Sequence, residues 1–177
     1  MYLLMYDSEP FKPTNTGWLI AGIVPNTFAY SWTRTGNMAE VKALIENPIW
    51  QPYLVFPEEY ANQERVTKQI VSDKKPLFIL LDGTWSEARK MFRKSPYLDN
   101  IPVLSLNPNQ NSRYKLRRPI HAEHLSTAEV AMLCLELANE KSIASCWIYG
   151  LVCLQNIIWQ LEKQSQSILI IYCINKH

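Results

Sequence analysis

The stretch that decides the fold reads LFILLDGTW at residues 77–85. Its five consecutive apolar residues are typical of a strand that is covered on both faces, as the strands of parallel sheets are. Asp82 and Gly83 end the apolar run, and Thr84 or Ser86 is suited to cap a helix that continues to about Lys94. The pattern therefore predicts a buried strand, a polar turn at its carboxyl end, and a helix.

The sequence on either side of this stretch continues the alternation of strands and helices. Strands are predicted at residues 1–6, 27–33, 53–56 and 101–106, and helices at 18–24, 38–46, 58–71 and 142–163, with another helix beginning at Ser126 or Thr127. The helix that begins near residue 126 is expected to bury Val130, Leu133, Cys134 and Leu137. This order predicts an α/β fold: a mostly parallel sheet flanked by helices, with ligands bound beyond the carboxyl ends of the strands.

Length and composition place the chain among ordinary globular proteins. Its 177 residues are 47% hydrophobic and 19% charged, which excludes a disordered chain, a collagen-like chain and a coiled coil. The apolar run at residues 168–174 is far shorter than the roughly 20 residues that span a bilayer. No basic and apolar leader opens the sequence. We therefore expect a single domain over residues 1–177, located in the cytoplasm and without a membrane partner.

The cysteines and histidines do not form a metal-binding pattern. No Cys-x-x-Cys pair is present, which excludes a zinc ribbon and a thioredoxin-like motif. His121 and His124 lack the four-residue spacing of the zinc proteases. We predict that no metal is bound, and that the four cysteines are buried apolar thiols: Cys134, Cys146, Cys153 and Cys173.

Positive charge is concentrated in one part of the chain. Residues 86–118 carry eight basic and two acidic side chains, a net charge of +6, so the remainder of the chain carries −4. Such a sector suits a phosphate-bearing partner, and a solvated helix face is the alternative. The residues predicted on this ground to bind RNA are Lys90, Arg93, Lys94, Arg113, Lys115 and Arg118.

Three polar clusters follow predicted strands, at residues 9–17, 82–85 and 107–118. Because the carboxyl ends of parallel strands meet at one edge of the sheet, we expect these clusters to form a composite site. A phosphatase of the haloacid dehalogenase type is excluded, because it needs a nucleophilic carboxylate where this chain has Leu80. No phosphate-binding loop of the Walker type and no Gly-x-Ser-x-Gly turn is present. Taken alone, Asp82 also fits a helix cap or a strand-end turn.

Four motifs in this order resemble the signatures of the DTW-domain family. They are Thr14-Asn15-Thr16-Gly17, DGTW at 82–85, SRYKLR at 112–117 and STAE at 126–129. The last three are similar to the family's Asp-x-Thr-Trp, Ser-x-Tyr-x-x-Arg and Ser-Thr-x-Glu motifs. The resemblance covers about residues 3–140 and leaves the role of residues 141–177 open.

The resemblance implies a tRNA-uridine aminocarboxypropyltransferase. Such an enzyme moves the 3-amino-3-carboxypropyl group of S-adenosyl-L-methionine to N3 of a uridine in tRNA and releases 5′-methylthioadenosine. The resemblance also implies a SPOUT-like fold with a C-terminal trefoil knot. S-adenosyl-L-methionine is then the co-substrate and tRNA the partner, and no protein partner is implied.

Carried over residue by residue, the resemblance assigns three groups of side chains. The catalytic group is Asp82, Thr84 and Trp85. The residues expected to bind S-adenosyl-L-methionine are Ser112, Tyr114, Arg117, Ser126, Thr127 and Glu129. The loop residues expected at the RNA are Thr14, Asn15 and Thr16.

Chemical reasoning gives some of these side chains a role. Uridine N3 attacks only once its proton leaves, so Asp82 is expected to act as a general base, its pKa raised by partial burial. Arg117 is expected to hold the co-substrate carboxylate and Glu129 its ammonium. Trp85 is expected either to stack on adenine or uracil or to pack in the corner between strand and helix.

Two other functions remain open from the sequence. One is an S-adenosylmethionine-dependent RNA methyltransferase that uses the same pocket, and the other is a non-catalytic RNA-binding domain. The co-product separates the two enzymes, because a methyltransferase releases S-adenosylhomocysteine. Binding of the co-substrate separates either enzyme from a plain RNA-binding domain.

Overall fold

A six-stranded sheet forms the centre of the described part of the chain. The structure, a computed structural model, describes residues 1–7, 11, 15–34, 38–106 and 125–140. The strands are β1 (Tyr2–Tyr6), β2 (Phe28–Trp32), β3 (Trp50–Val55), β4 (Val66–Thr67), β5 (Lys75–Asp82) and β6 (Val103–Leu104). The helices are α1 (Gly17–Ile23), α2 (Ala39–Glu46), α3 (Trp85–Arg93) and α4 (Thr127–Leu137).

The strands lie in the order β2-β1-β5-β3-β6-β4, and every strand pair is parallel. The decisive stretch is therefore a central strand, as its unbroken apolar run predicts. Leu77 to Leu80 of β5 are all buried. These observations confirm the α/β fold with a mostly parallel sheet.

The two faces of the sheet are covered by different helices. Leu3, Met5, Phe78 and Leu80 point to one face, where Ile20 of α1 and the buried side of α4 pack on them. Tyr2, Leu4, Leu77 and Ile79 point to the other, where they meet Val41 of α2 with Ala88 and Met91 of α3. Alternation along each strand sends neighbouring residues to opposite faces. We call these the α1/α4 face and the α2/α3 face.

The third strand is longer than the predicted 53–56, because it begins at Trp50 and contains Pro52. Proline has no N–H to donate to a neighbouring strand. Pro52 is paired with Leu77 of β5 on one side, and on the other side β6 pairs only with Leu54 and Val55. The proline therefore stands where the strand has a neighbour on one side only.

The prediction of an outer helix at residues 58–71 is wrong. The chain there forms 3-10 turns at Glu58–Tyr60 and Gln63–Arg65, and then β4. Contacts distant in sequence favour this path, because the Arg65 guanidinium donates to the carbonyl oxygens of Leu98 and Ile101. Three such bonds hold the segment along the sheet edge, and a regular helix would break them.

Helix α4 forms where predicted and buries Cys134 as expected, with Val130 packed against the core, but its buried side is rotated from the predicted one. Ala128, Ala131, Cys134 and Leu135 are buried, whereas Leu137 is 41% exposed. The rotation is fixed by polar bonds at the helix start, which hold Ala128 toward the sheet. Burial raises the pKa of the Cys134 thiol, as expected for an apolar, unreactive cysteine.

Several sequence predictions fall outside the described residues. These are the basic loop, the helix at 142–163, the other three cysteines, and the C-terminal knot implied by the resemblance. No helix within the described ranges combines the length and the apolar character that crossing a membrane requires.

Candidate active site at the carboxyl ends of β1 and β5

The carboxyl ends of β1 and β5 are neighbours, with Met5 opposite Asp82. The connections that follow these two strands run to opposite faces of the sheet. Strand β1 is followed by α1 on the α1/α4 face, and β5 is followed by α3 on the α2/α3 face. In open α/β sheets, ligands bind at the point where neighbouring strands send their connections to opposite faces. This is the place where the fold itself favours a binding site.

Asp82 is the centre of the site. It is 1% exposed. Its Oδ2 accepts a hydrogen bond from Asn15 Nδ2 at 2.8 Å, and its Oδ1 accepts one from Thr127 Oγ1 at 2.6 Å. Asn15 lies in the loop after β1, and Thr127 is the first residue of α4. One carboxylate thus joins three segments that are far apart in the sequence.

Residues 15–17, at the end of the loop after β1, are held tightly against this carboxylate. The Gly17 N–H donates to Asn15 Oδ1 at 2.7 Å, and Thr16 Oγ1 accepts from the Ala128 N–H at 3.2 Å. A Cβ on Gly17 would lie only 2.7 Å from Asp82 Oδ2 and 2.9 Å from Asn15 Oδ1. Glycine is therefore required here by close approach. We call Asn15, Thr16, Gly17, Asp82 and Thr127 the Asp82 hub.

Two capping boxes set the starts of the helices that flank the hub. Thr84 caps α3 and Ser126 caps α4, each with the glutamate three residues later, Glu87 and Glu129. Glu129 Oε2 accepts from the Ser126 N–H at 2.8 Å and from its Oγ at 2.9 Å. Because Ser126 is the α4 cap, the Thr127 hydroxyl is available to donate to Asp82.

Trp85 lies on the other side of the sheet from the hub. Its ring stacks on Phe56 at 5.5 Å between centroids and meets Tyr60 edge-on at 5.6 Å. It packs against the core of the α2/α3 face. Of the two roles expected for Trp85, the structure shows the packing one, and stacking on a base stays a prediction.

The structure brings some of the predicted site residues together and not others. Asp82, Asn15, Thr16 and Thr127 meet, with Ser126 and Glu129 directly beside them. Three of the predicted RNA-binding residues lie on α3 or at its C-cap and are exposed: Lys90, Arg93 and Lys94. Seven predicted residues lie outside the described ranges: Thr14, Ser112, Arg113, Tyr114, Lys115, Arg117 and Arg118.

Asn15 and Thr16 were expected at the RNA, and the structure places them inside the protein. They are 4% and 3% exposed, and both side chains bond to other parts of the hub. In the structure they hold the loop, Asp82 and the start of α4 together through hydrogen bonds. A direct RNA contact stays a prediction. Gly17 was not among the predicted site residues, although its position after three polar loop residues is a signal for close backbone approach.

No three histidine, cysteine, aspartate or glutamate side chains within the described ranges come together as a metal ion would require. The absence of a bound metal stays a prediction for the whole chain.

Comparison with known proteins agrees with the motif resemblance. The family model described as the DTW domain matches residues 1–145, and no solved structure matches the chain. The matched range contains the whole Asp82 hub and both capping boxes. The chain therefore belongs to the DTW domain family.

Proposed function

We propose that the chain is a tRNA-uridine aminocarboxypropyltransferase that uses S-adenosyl-L-methionine. The observation that carries this proposal is the Asp82 hub, which joins three of the four family motifs through hydrogen bonds to one carboxylate. Family membership is consistent with a tRNA-modifying enzyme. The geometry adds a fixed acidic group at the edge of the sheet where ligands bind.

In the proposed reaction the chain has two tasks, which are to activate uridine and to aim the co-substrate. Asp82 takes the proton from uridine N3, and N3 then forms a bond to the γ-carbon of the aminocarboxypropyl group. The bond between that carbon and sulfur breaks, and the electron pair leaves with 5′-methylthioadenosine. The positively charged sulfur supplies the leaving group, so the contribution of the protein lies in orientation and proton removal.

The Asp82 hub holds the proposed base in one orientation. Asn15 and Thr127 fix the plane of the Asp82 carboxylate, because each holds one of its oxygens. A carboxylate held in a fixed plane is suited to act as a positioned base.

The start of α4 is the proposed place for the amino-acid end of S-adenosyl-L-methionine. An eleven-residue helix carries partial positive charge at its first turn, which favours a carboxylate there. Ser126, Thr127 and the buried Glu129 surround that turn. Glu129 is proposed to meet the ammonium while it keeps its bond to Ser126, and Ser112, Tyr114 and Arg117 are proposed to complete the site.

Identification of the co-product tests this function against its alternatives. The protein is incubated with S-adenosyl-L-methionine and tRNA, and the small molecules are separated by chromatography. We expect 5′-methylthioadenosine to form in proportion to modified tRNA. Formation of S-adenosylhomocysteine would identify a methyltransferase. Binding of tRNA with no binding of S-adenosyl-L-methionine would identify a non-catalytic RNA-binding domain.

A further inference from the structure

Two basic side chains of α3 are held by tyrosines, one at the end of β1 and one in the 3-10 turn that follows β3. Lys90 Nζ donates to the Tyr6 hydroxyl at 2.9 Å, and Tyr6 is the last residue of β1. The Arg89 guanidinium lies over the Tyr60 ring at 5.2 Å, and Tyr60 ends the 3-10 turn that follows β3. We call Tyr6, Tyr60, Arg89 and Lys90 the α3 rim.

Packing fixes the two tyrosines in place. Tyr6 stacks on Trp32 with 5.6 Å between ring centroids, and the indole N–H of Trp32 donates to the buried Ser95 hydroxyl. Tyr60 meets Phe56 and Trp85 edge-on, each at 5.6 Å. The partners of Lys90 and Arg89 therefore pack against the protein core, which limits the conformations of two long side chains that usually move freely in water.

The α3 rim lies along the carboxyl edge of the sheet, on the α2/α3 face. It is beside the Asp82 hub along that edge, but the hub lies on the α1/α4 face. Helix α3 connects the hub to the rim, because it begins at Trp85, three residues after Asp82. Further along, the helix passes between Tyr6 and Tyr60. A ligand that contacts both features has to cross this edge of the sheet.

The charge of this surface favours a polyanion. Helix α3 and its C-cap present four cations, Arg89, Lys90, Arg93 and Lys94. Glu87 is engaged in the capping box, and Glu58 is paired with Lys68 at 2.9 Å. Two exposed carboxylates, Asp7 and Glu59, adjoin the tyrosines in the sequence, so the four cations outnumber these two carboxylates.

We propose that the α3 rim binds backbone phosphates of the substrate tRNA, which then crosses the carboxyl edge to bring its uridine to the Asp82 hub. This inference rests on the proposed function, since it takes tRNA as the substrate. Lys90 and Arg89 provide the charge, and Tyr6 and Tyr60 hold them in position. Oriented cations lose less conformational freedom when a phosphate binds.

The test compares two double variants that remove the same charge at opposite edges of the sheet. Arg89→Gln with Lys90→Gln changes the rim. Lys74→Gln with Lys75→Gln is the control, because Lys75 begins β5 and the seven steps of about 3.3 Å from Lys75 to Asp82 separate the two residues by roughly 23 Å. Affinity for tRNA is measured at several salt concentrations, and affinity for S-adenosyl-L-methionine is measured without RNA.

We expect the rim variant to bind tRNA on the order of tenfold more weakly and to lose about 1.4–1.8 from the slope of log affinity against log salt. The control should keep the wild-type slope, and both should bind S-adenosyl-L-methionine normally. If the rim variant keeps the same slope as the control, the inference is wrong while the proposed function stands. If the rim variant shows the reduced salt slope but the wild-type protein never modifies tRNA, the proposed function is contradicted. The α3 rim would then still be an RNA-binding surface.

Chemical footprinting of the unmodified protein gives a second test that does not depend on variant folding. Lysines are acetylated with and without tRNA, and the modified peptides are identified by mass spectrometry. We expect tRNA to protect Lys90 and to leave Lys75 reactive. Equal reactivity of Lys90 in both conditions would overturn the inference.

Discussion

At the scale of single residues, Asp82 determines how the site is organised and how it can react. The substitution Asp82→Asn is a clean test of the proposed base. The amide oxygen of asparagine can accept from Asn15, and its NH2 can donate to Thr127, because a hydroxyl both donates and accepts. The contacts that the hub makes through Asn15 and Thr127 can therefore survive while the basic group is lost.

We expect Asp82→Asn to lower kcat by about 10²–10⁴-fold, the usual contribution of a positioned base, with little change in affinity for S-adenosyl-L-methionine. Steady-state kinetics and calorimetric titration measure the two quantities separately. Thr127→Val is the comparison variant, because valine keeps the shape of the threonine side chain and removes the hydroxyl that donates to Asp82. Near-normal turnover by Asp82→Asn would exclude Asp82 as the base.

Gly17 gives a prediction about packing at the same hub. Gly17→Ala would place a methyl group 2.7 Å from Asp82 Oδ2, so we expect a loss of roughly 1–3 kcal/mol in the free energy of unfolding. Gly22→Ala is the matched control in the same helix, because nothing lies within 4 Å of its added Cβ. Alanine there should stabilise the protein by roughly 0.5–1 kcal/mol.

Denaturant unfolding of both glycine variants measures these changes. Equal stability of the two variants would show that the loop after β1 can move away from Asp82 at no cost, and the account of the hub would then be incorrect.

At the scale of elements, the two capping boxes provide a matched pair of substitutions. Glutamine can replace glutamate in a capping box, because its carbonyl oxygen still accepts from the cap residue. Glu129→Gln and Glu87→Gln should therefore keep α4 and α3 capped. Only Glu129 adjoins the proposed site for the co-substrate ammonium, because Glu87 caps α3 on the α2/α3 face.

We expect Glu129→Gln to weaken binding of S-adenosyl-L-methionine by about ten- to a hundred-fold, the effect of losing a bond to a charged group worth roughly 1.5–3 kcal/mol. Glu87→Gln should bind it normally. Calorimetric titration without RNA measures both affinities. The same affinity in the two variants would remove Glu129 from the co-substrate site.

The elements also show where sequence reasoning succeeds and where it stops. The strand and helix at residues 75–93 were predictable, because apolar continuity, the turn residues and a capping signal all agree. The segment at 58–71 was not, because its path depends on Arg65 reaching the carbonyl oxygens of Leu98 and Ile101. The orientation of α4 was missed for a similar reason, since Thr127 and Thr16 fix it from distant segments.

At the scale of the whole molecule, the sheet order brings the motifs together. Asn15 in the loop after β1 and Asp82 at the end of β5 are 67 residues apart in sequence, and only the pairing of these strands makes them neighbours. The sequence predicted that polar clusters meet at the carboxyl ends of the strands, and the structure shows this contact between residues 15–17 of the first cluster and Asp82 of the second. That these residues form a functional site stays a prediction. The contact between Asp82 and Thr127 was not predictable, because no local pattern relates those residues.

The measurement that tests the central claim most directly is mass analysis of nucleosides from tRNA incubated with the protein and S-adenosyl-L-methionine. Wild-type protein and Asp82→Asn are compared in parallel, with digestion of the tRNA to nucleosides before analysis. The account predicts a uridine that carries the 3-amino-3-carboxypropyl group on N3 with the wild-type protein, and a greatly reduced amount with Asp82→Asn. A methylated nucleoside, or unmodified tRNA from a wild-type protein that binds both substrates, would contradict it.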